Sequence, residues 1–471
     1  MQKLKTLFLL FALSMLIFLA GCSTPATLTA TPQLTPCAEG KCVTESPVVT
    51  QSPVPTTTPT PPLSETRQIA SGQVIRLWHA YSLNSLPVVD GLVEDFNNSN
   101  PDGITVDARG FLTDSQLFDA LSQVESSDEL PDVVMGEASL LNTLAVNGQL
   151  ADLRGYIEDA VIGMTAKQQN AISDDYWEEL KSEGMIFGIP AHREGLFLIY
   201  NSTWGRELGF PGPPVDLEDF TSQAKAAFEA NIVSTDKTLR GTGGWLIDLR
   251  AETALAWMGR SSPLTDTWDV FTDPVLTDTF SILKDFQNLG YAWAGRNTDP
   301  APYFVKRQAL FISAASHDLP GIISHLDVLD MQDEWVIMAY PHGQAETRNV
   351  SRGYGYGLLA EGEAARMAGW LFIQWLMDPS RQASISANEF STPADDQAIE
   401  LLANFGAYPS LVQAIARVNA ESACLPDNGA WYFLKPILED GYYQVLQAHI
   451  PSEQIPVIIM EMQKLLVEYL K

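Results

Sequence analysis

The stretch MIFGIPAHREGLFLIYN, Met185–Asn201, places a polar cluster between two apolar segments. Leu196–Tyr200 is an apolar run that is typical of a buried strand, and Pro190 stands shortly before it. The polar cluster at 191–194 contains a histidine, an arginine and a glutamate. This stretch alone does not show which part of the protein these ionisable side chains face.

Strands and helices alternate on both sides of this stretch. VIRLW (74–78) and ITVDA (104–108) predict strands, and PVVDGLVEDFNNSNP between them predicts a helix with Pro87 in its first turn. A strand and a helix are predicted in LPDVVMGEASLLNTLAVNGQLADL. Two more strands are predicted at ALFIS (309–313) and WVIMAYP (335–341). The segment EAARMAGWLFIQWLMDPSRQ predicts an amphipathic helix closed by Asp378-Pro379. This alternation predicts an α/β fold with a parallel or mixed sheet and helices on both faces.

The composition is that of a large, acidic globular protein. With 471 residues the chain is long enough for two or three domains. It has 28 Lys and Arg against 58 Asp and Glu, which gives a formal charge of −30. Such a surface repels phosphate backbones, so we expect no nucleic-acid partner.

The N-terminus predicts a targeting segment. Lys3 and Lys5 precede the apolar run TLFLLFALSMLIFLA, and the segment ends in Leu-Ala-Gly followed by Cys22. This resembles a bacterial lipoprotein signal peptide, residues 1–22, whose cleavage leaves Cys22 as the lipid-modified first residue. The alternative is an uncleaved membrane-spanning helix. We therefore expect the chain to be lipid-anchored at the outer face of the cytoplasmic membrane, at the cell surface or in a periplasm.

Residues 23–70 predict a linker rich in Thr, Pro and Ser, an extended spacer that could reach on the order of 100 Å. Cys37 and Cys42 within it form either a small disulfide loop or two free thiols. Cys424 is expected to be a buried thiol. Since no spacing of cysteines and histidines resembles a zinc site, we expect no metal and no cofactor.

Several segments in the order of the chain resemble the extracellular solute-binding proteins of ABC importers, in the maltose-binding-like group. They are VIRLWHAY with EDFNNSNPDGITV, the LPDVVMGEASLLNTLAVNGQLADL segment, GMIFGIPAHREGLFLIYN followed by GPPVDLEDF, and AARMAGWLFIQWLMDPSRQASISANEFSTPADDQA. The resemblance covers nearly all of 71–471.

This resemblance implies a two-lobed, periplasmic-binding-protein-like fold (type II), with a ligand cleft between lobes that hinge crossovers join. Lobe 1 would comprise 71–191 and 341–391, and lobe 2 would comprise 192–340 and 392–471. The polar cluster at 191–194 would then lie at the first crossing, where polar side chains face the cleft.

The same resemblance implies polar ligand contacts. Glu194 matches a carboxylate that contacts sugar hydroxyls, and the alternative is a salt bridge with Arg193. Arg193 is also a candidate ligand contact, but a weaker one. His79 and Tyr81 follow the first strand, where loop packing is the alternative. Glu137 follows the strand DVVM, where the alternative is capping of the next helix.

Aromatic and later polar candidates complete the predicted site. Trp431 and Tyr432, in NGAWYFL, match a place where the family puts a stacking aromatic ring, and Trp245 in GTGGWLIDLRAE is a second candidate. Core packing is the alternative for each ring. The remaining candidates are Glu252 with the nearby Arg250, and Tyr354 in RGYGYGLL. His317 is expected to be a capping or surface histidine.

The resemblance implies a function without covalent chemistry. We expect a monomeric, substrate-binding lipoprotein that binds a carbohydrate by closing its lobes and delivers it to ABC permease subunits. The loop HAYS lacks the acidic-basic pair of maltose-binding proteins, which makes maltose itself doubtful. The alternatives are a sensory or scaffold lipoprotein of the same fold, a polyamine or polyol ligand, and a surface glycoside hydrolase, for which no nucleophile or metal motif is found and no catalytic residue is predicted.

Overall fold

The computed structural model describes residues 72–469 except 125, 127–128, 183, 259–270, 273, 296–298, 342–349, 360, 421 and 425–430. The side chains of 258, 423–424, 431–433 and 469 are also outside this description. The predicted signal peptide, the linker and the thiols of Cys22, Cys37, Cys42 and Cys424 therefore lie outside the described residues. Within the described part, every helix is too short or too polar to cross a membrane.

The described residues form thirteen strands. In chain order they are β1 (Val74–His79), β2 (Thr105–Gly110), β3 (Val133–Glu137), β4 (Lys181–Ser182), β5 (Met185–Ile186), β6 (Ile189–Asn201), β7 (Gly243–Leu246), β8 (Ala292–Trp293), β9 (Ala309–Ala315), β10 (Trp335–Met338), β11 (Val350–Leu358), β12 (Thr392–Pro393) and β13 (Ala423–Cys424).

Eighteen α-helices occur in the same part of the chain. They are α1 (Leu86–Ser99), α2 (Asp114–Ser122), α3 (Ala138–Val146), α4 (Arg154–Ile157), α5 (Ala166–Asn170), α6 (Asp174–Glu178), α7 (Ser202–Glu207), α8 (Leu217–Val233), α9 (Ala251–Met258), α10 (Pro274–Leu289), α11 (Ala301–Val305), α12 (Leu319–Val328), α13 (Glu363–Leu376), α14 (Pro379–Glu389), α15 (Asp396–Leu401), α16 (Pro409–Asn419), α17 (Trp431–Val445) and α18 (Ile455–Tyr469).

The predicted alternation of strands and helices is confirmed. Helix α1 has its proline in the first turn and buries Val89, Val93 and Phe96 against the sheet. The helix pattern at 363–376 forms α13, and Asp378 caps the helix that begins at Pro379. The local patterns were therefore sufficient to predict these elements.

Strand β6 lies in the middle of one mixed sheet. Eleven strands join this sheet in the described residues, along the path β2-β1-β3-β11-β6-β9-β7-β8, with three short strands at its sides. Strand β1 pairs in parallel with β2 and β3, whereas β6 pairs antiparallel with both of its neighbours on the path.

The two halves of β6 belong to different surroundings. Its first half pairs with β11, with Gly195 opposite Ser351, and its second half pairs with β9 from Leu196 onward. A core around Trp370 packs beside the first set of strands, and a core around Trp245 packs beside the second. The apolar run and the polar cluster of the opening stretch are thus two parts of a single strand. The predicted lobe boundaries stay predictions.

Gly195 is the residue at which β6 changes partners. Its N–H donates to Ser316 Oγ at 3.0 Å. A Cβ at this position would lie 2.1 Å from Asn419 Oδ1, and Asn419 in turn donates to Thr392 Oγ1 at 3.1 Å. Segments distant in sequence therefore meet at this glycine, because no side chain separates them.

Candidate ligand-binding site

A cavity of about 920 Å³ lies beside the middle of β6. Loops that follow β1 and β2 form one part of its wall, and residues of α9, α12 and α17 form another. Its charged lining residues are Asp114, Glu137, Glu194, Arg250, Glu252, Arg352, Glu389, Lys435 and Glu439. The size is that of a pocket for a small molecule.

A buried ion pair lies at the bottom of this cavity. Arg352 is directly opposite Glu194 in the β11–β6 register, and its Nη2 atom is 2.7 Å from Glu194 Oε2. Burial alone would raise the pKa of Glu194, but His317 and Arg352 outweigh it and lower the pKa to about 2. Glu194 is therefore a fixed carboxylate at neutral pH. The alternative of a salt bridge between Glu194 and Arg193 does not occur in the described structure.

His317 is the third member of this group. Its Nδ1 lies 3.1 Å from Glu194 Oε2 and 2.9 Å from Arg352 Nη2. One ring nitrogen cannot donate to the carboxylate and accept from the guanidinium at the same time. Burial lowers the pKa of His317, yet Glu194 reverses this effect and the net pKa is raised. This favours donation to Glu194. The His317 side chain is 42% exposed, as expected for a surface histidine, but its place in the cavity wall was not predicted.

A second ion pair extends the network to α17. Lys435 Nζ lies 2.8 Å from Glu252 Oε1, and Arg352 Nη1 lies 3.8 Å from the same oxygen. Burial raises the pKa of Glu252, but the two cations outweigh it and lower the pKa to about 2. Arg352 thus connects two carboxylates on different sides of the cavity.

Asp114, Glu137 and Tyr354 form an acidic corner. The Tyr354 hydroxyl donates to Asp114 Oδ2 at 3.0 Å, and the Glu137 N–H donates to Asp114 Oδ1 at 3.0 Å. Burial raises the pKa of both carboxyls against the opposing effect of Arg352, and the charge of Asp114 adds to the rise at Glu137. Glu137 precedes helix α3 but makes no capping hydrogen bond with its side chain, so the capping alternative is not supported.

Two further carboxyls line the wall. Glu389, at the end of α14, accepts hydrogen bonds from the Ser82 N–H at 2.9 Å and from the Ser85 hydroxyl. Burial raises the pKa of Glu389 to about 7. Glu439 accepts from the Ala251 N–H at 3.3 Å, and burial raises its pKa as well.

The structure brings four of the predicted site residues to the cavity wall. They are Glu137, Glu194, Glu252 and Tyr354. Arg250, the weaker candidate beside Glu252, also lines the cavity, where it is held by Asp248 and Asp318. For Trp431 and Tyr432 the structure describes only the backbone at the start of α17, and their side chains lie outside the described residues.

Four other predicted residues lie behind the wall. His79 is 1% exposed and packs on Tyr81, whose hydroxyl meets the Tyr356 hydroxyl at 2.5 Å. Arg193 points away from the cavity because it pairs with the buried Glu179. Trp245 is fully buried, and its Nε1–H donates to Ser313 Oγ at 3.0 Å. The expectation that these four side chains face the cleft is therefore corrected for this structure. Core packing, the stated alternative for Trp245, describes its position.

Sequence reasoning missed five charged lining residues: Asp114, Arg352, Glu389, Lys435 and Glu439. One signal was present in the pattern. Arg352 stands two residues before Tyr354 in one strand, so both side chains point to the same face of the sheet. In the described residues, no group of three or more His, Cys, Asp and Glu side chains is arranged to hold a metal ion.

The family model of bacterial extracellular solute-binding proteins matches residues 91–410. The chain belongs to this family. The match spans most of the described residues, including both halves of β6 and most of the cavity wall, so the resemblance noted in the sequence is confirmed. No curated protein matches this binding protein in sequence at a significant level.

Solved structures of similar fold confirm the predicted two-lobed α/β architecture. The sugar-binding protein MalE from Xanthomonas citri matches 84% of this chain and 98% of its own, with a TM-score of 0.70 at 17% identity. The GacH receptor of Streptomyces glaucescens, studied with acarbose, matches 84% and 99% with a TM-score of 0.67 at 14% identity. UgpB from Mycobacterium tuberculosis, in complex with glycerophosphocholine, matches 85% and 100% with a TM-score of 0.67 at 15% identity.

Proposed function

We propose that this chain is the lipid-anchored substrate-binding component of an ABC importer and that its ligand is a carbohydrate. The solute binds in the cavity beside β6, the two lobes close on it, and the closed protein delivers it to a permease in the cytoplasmic membrane. The observation that carries the proposal is a cavity of about 920 Å³, lined by six carboxyl groups, in a member of the solute-binding family.

The chemistry of the wall supports a ligand with many hydroxyl groups. Glu194 and Glu252 stay ionised because cations hold them, and an ionised carboxylate accepts strong hydrogen bonds from hydroxyls. Tyr354 lines the same wall, with its ring stacked on His192 and its hydroxyl bonded to Asp114. Several fold neighbours were solved with oligosaccharides, among them maltotriose and cycloalternan.

A non-saccharide solute is the second candidate. The fold neighbour UgpB was solved with glycerophosphocholine, so the two-lobed fold is compatible with other polar ligands. A polyol or a polyamine would meet the same carboxylates. A sensory or scaffold role would use the same binding step without transport.

Binding without catalysis is part of the proposal. Glu194 and Glu252 are engaged by Arg352 and Lys435, and the family is one of binding proteins. Residues 1–22 and the linker support export and anchoring through Cys22, outside the cytoplasmic membrane or in a periplasm.

The test is calorimetric titration of the full chain, held in a detergent without a sugar headgroup, with short oligosaccharides, polyols and amino acids. We expect a saccharide to bind at micromolar affinity or tighter and to be recovered unchanged. Hydrolysis of the sugar would replace the binding proposal with an enzyme. A response to a polyol or an amino acid alone would keep the receptor and reject the carbohydrate.

Trp431→Ala tests the predicted stacking contact in the same titration. The spacing of four residues from Trp431 to Lys435 and on to Glu439 predicts one helix face for all three positions. We expect sugar affinity to fall by about 2 kcal/mol, as for a central aromatic contact, while the fold survives. Unchanged affinity would remove Trp431 from the site. Trp293→Phe is the control, since its indole N–H bonds the Gln308 carbonyl away from the cavity.

A further inference from the structure

The described wall of the cavity carries more negative than positive charge. Six of its side chains are carboxyls and three are permanent cations. The carboxyls are Asp114, Glu137, Glu194, Glu252, Glu389 and Glu439, and the cations are Arg250, Arg352 and Lys435. His317 adds at most one further positive charge. A neutral solute that fills this cavity leaves the excess uncompensated.

The three cations are already engaged by carboxylates. Lys435 pairs with Glu252, and Arg352 lies between Glu194 and Glu252. Arg250 pairs with Asp318, which does not line the cavity, at 2.6 Å. Arg352 also acts at longer range on Asp114 and Glu137, but its ion pairs are with Glu194 and Glu252. Among the described residues, the other four lining carboxyls form no ion pair.

Glu137 is the least satisfied of these four groups. It is only 7% exposed, and its carboxyl makes no hydrogen bond and no ion pair with any described residue. Asp114, by contrast, accepts from the Tyr354 hydroxyl and from the Glu137 N–H. A buried carboxyl without a partner costs free energy unless something in the cavity supplies a donor or a positive charge.

We propose that the solute carries a protonated amine, and that Glu137 with the adjoining Asp114 forms the subsite that receives it. The inference rests on the proposed function, since it concerns the ligand of the same cavity. An ammonium group offers three donors and a full charge, so it satisfies Glu137 and reduces the negative excess in one step. The chain's charge of −30 also attracts a cation from solution.

The electrostatics of the corner agree with this geometry. Burial and the neighbouring Asp114 outweigh the opposing charge of Arg352 and raise the pKa of Glu137 to about 7. A bound ammonium would lower that pKa again, so binding of an amine near pH 7 releases protons from the corner. A neutral sugar has no such effect on the corner.

The experiment compares matched ligands on the full chain in a detergent without a sugar headgroup. Each short gluco-oligosaccharide is paired with its 6-amino-6-deoxy derivative, which differs only in the charge, and spermidine is the cation without a sugar. Calorimetry in two buffers of different ionisation enthalpy gives affinity and protons exchanged. We expect at least one aminated sugar to bind about tenfold or more tightly than its neutral partner, a difference of about 1.4 kcal/mol, with protons released and the advantage reduced at high salt.

Glu137→Gln tests the subsite itself. It should abolish the advantage of the amine, so that an aminated sugar and its neutral partner bind the variant with similar affinity. Asp114→Asn should act in the same direction, which keeps the test open if one variant fails to fold. Glu400→Gln, an exposed position outside the cavity, is the control and should change neither affinity.

Each outcome separates this inference from the proposed function. If neutral sugars bind and amination brings no advantage, the inference is overturned and the carbohydrate receptor stands. If spermidine binds through Glu137 and no sugar binds, the inference stands and the carbohydrate ligand is rejected. If no cation binds, the inference is overturned as well.

Discussion

Arg352 and Glu194 face each other across the β11–β6 ladder, and their side-chain atoms meet at 2.7 Å with about a tenth or less of either side chain exposed. The pair lies where β6 passes from one core to the other. Arg352 also reaches toward Glu252, which is tied to α17 through Lys435. The ion pair therefore does two things at once, because it fixes the charge of a cavity carboxylate and connects elements from both halves of the protein.

Glu194→Gln should destabilise the protein by about 3 kcal/mol, because removal of one partner leaves a buried charge without full compensation. Urea unfolding at neutral pH measures this loss. A double-mutant cycle with Arg352→Met should show that the pair of substitutions costs less than the sum of the two single ones.

The Arg206–Glu334 pair provides the control for this prediction. Its atoms also meet at 2.7 Å, but the two side chains are 51% and 75% exposed. Glu334→Gln should therefore cost at most about 1 kcal/mol. If Glu194→Gln proves as mild as Glu334→Gln, the buried pair does not have the role assigned to it.

Gly195→Ala tests the point where β6 changes partners. The new Cβ would lie 2.1 Å from Asn419 Oδ1, so the backbone or Asn419 must move. We expect a loss of about 2 kcal/mol in the free energy of unfolding, as for overpacking in a core. Thermal unfolding measures this loss, and Asn419→Ala in the same chain should recover part of it.

Gly212→Ala is the control, since a Cβ there meets no atom within 4 Å. Equal stability of the two glycine variants would contradict the close approach.

The fold was predictable from sequence because its signals are local. Apolar periodicity over a few residues defined β1, α1 and α13, and the order of these segments indicated the family. The cavity was less predictable, because its pairs join distant positions. Ser85 and Glu389 are 304 residues apart, and Lys435 and Glu252 are 183 apart. A single sequence contains no signal for such pairs.

Trp245 shows how a local signal was misinterpreted. The sequence GTGGWLIDLRAE predicts Trp245 as a ring for the ligand, with core packing as the alternative. A Cβ at Gly244 would lie 2.0 Å from the Tyr291 carbonyl oxygen, so the close approach is between two backbones in the sheet. The ring that follows is consequently buried in the core.

Cys22→Ser should abolish lipid attachment. Metabolic labelling with an alkyne fatty acid should mark the natural chain and leave the variant unlabelled, because the thiol of Cys22 is the acceptor in the lipoprotein proposal. Cys424→Ser should keep the label, since that cysteine lies in the folded part of the chain. Label that persists in the Cys22 variant would reject the lipoprotein and leave the membrane-spanning alternative for residues 1–22.

The pH dependence of stability tests the ionisation of Glu389 in the cavity wall. Burial raises the pKa of Glu389 to about 7 from 4.5, so between these values the folded protein holds a proton that the unfolded chain has released. Stability attributable to this group therefore falls as the pH rises from about 4.5 to about 7 and stays low above that.

Glu389→Gln removes the buried charge and keeps an acceptor for the Ser82 N–H. We expect the variant without ligand to be more stable than the natural chain by on the order of 2 kcal/mol near pH 8, and the gain to vanish near pH 4.5. Denaturant titrations at several pH values measure the difference, with the exposed Glu400→Gln as a control that should stay flat. A gain that is equal at both ends of the range would show that ionisation of Glu389 is not its cause.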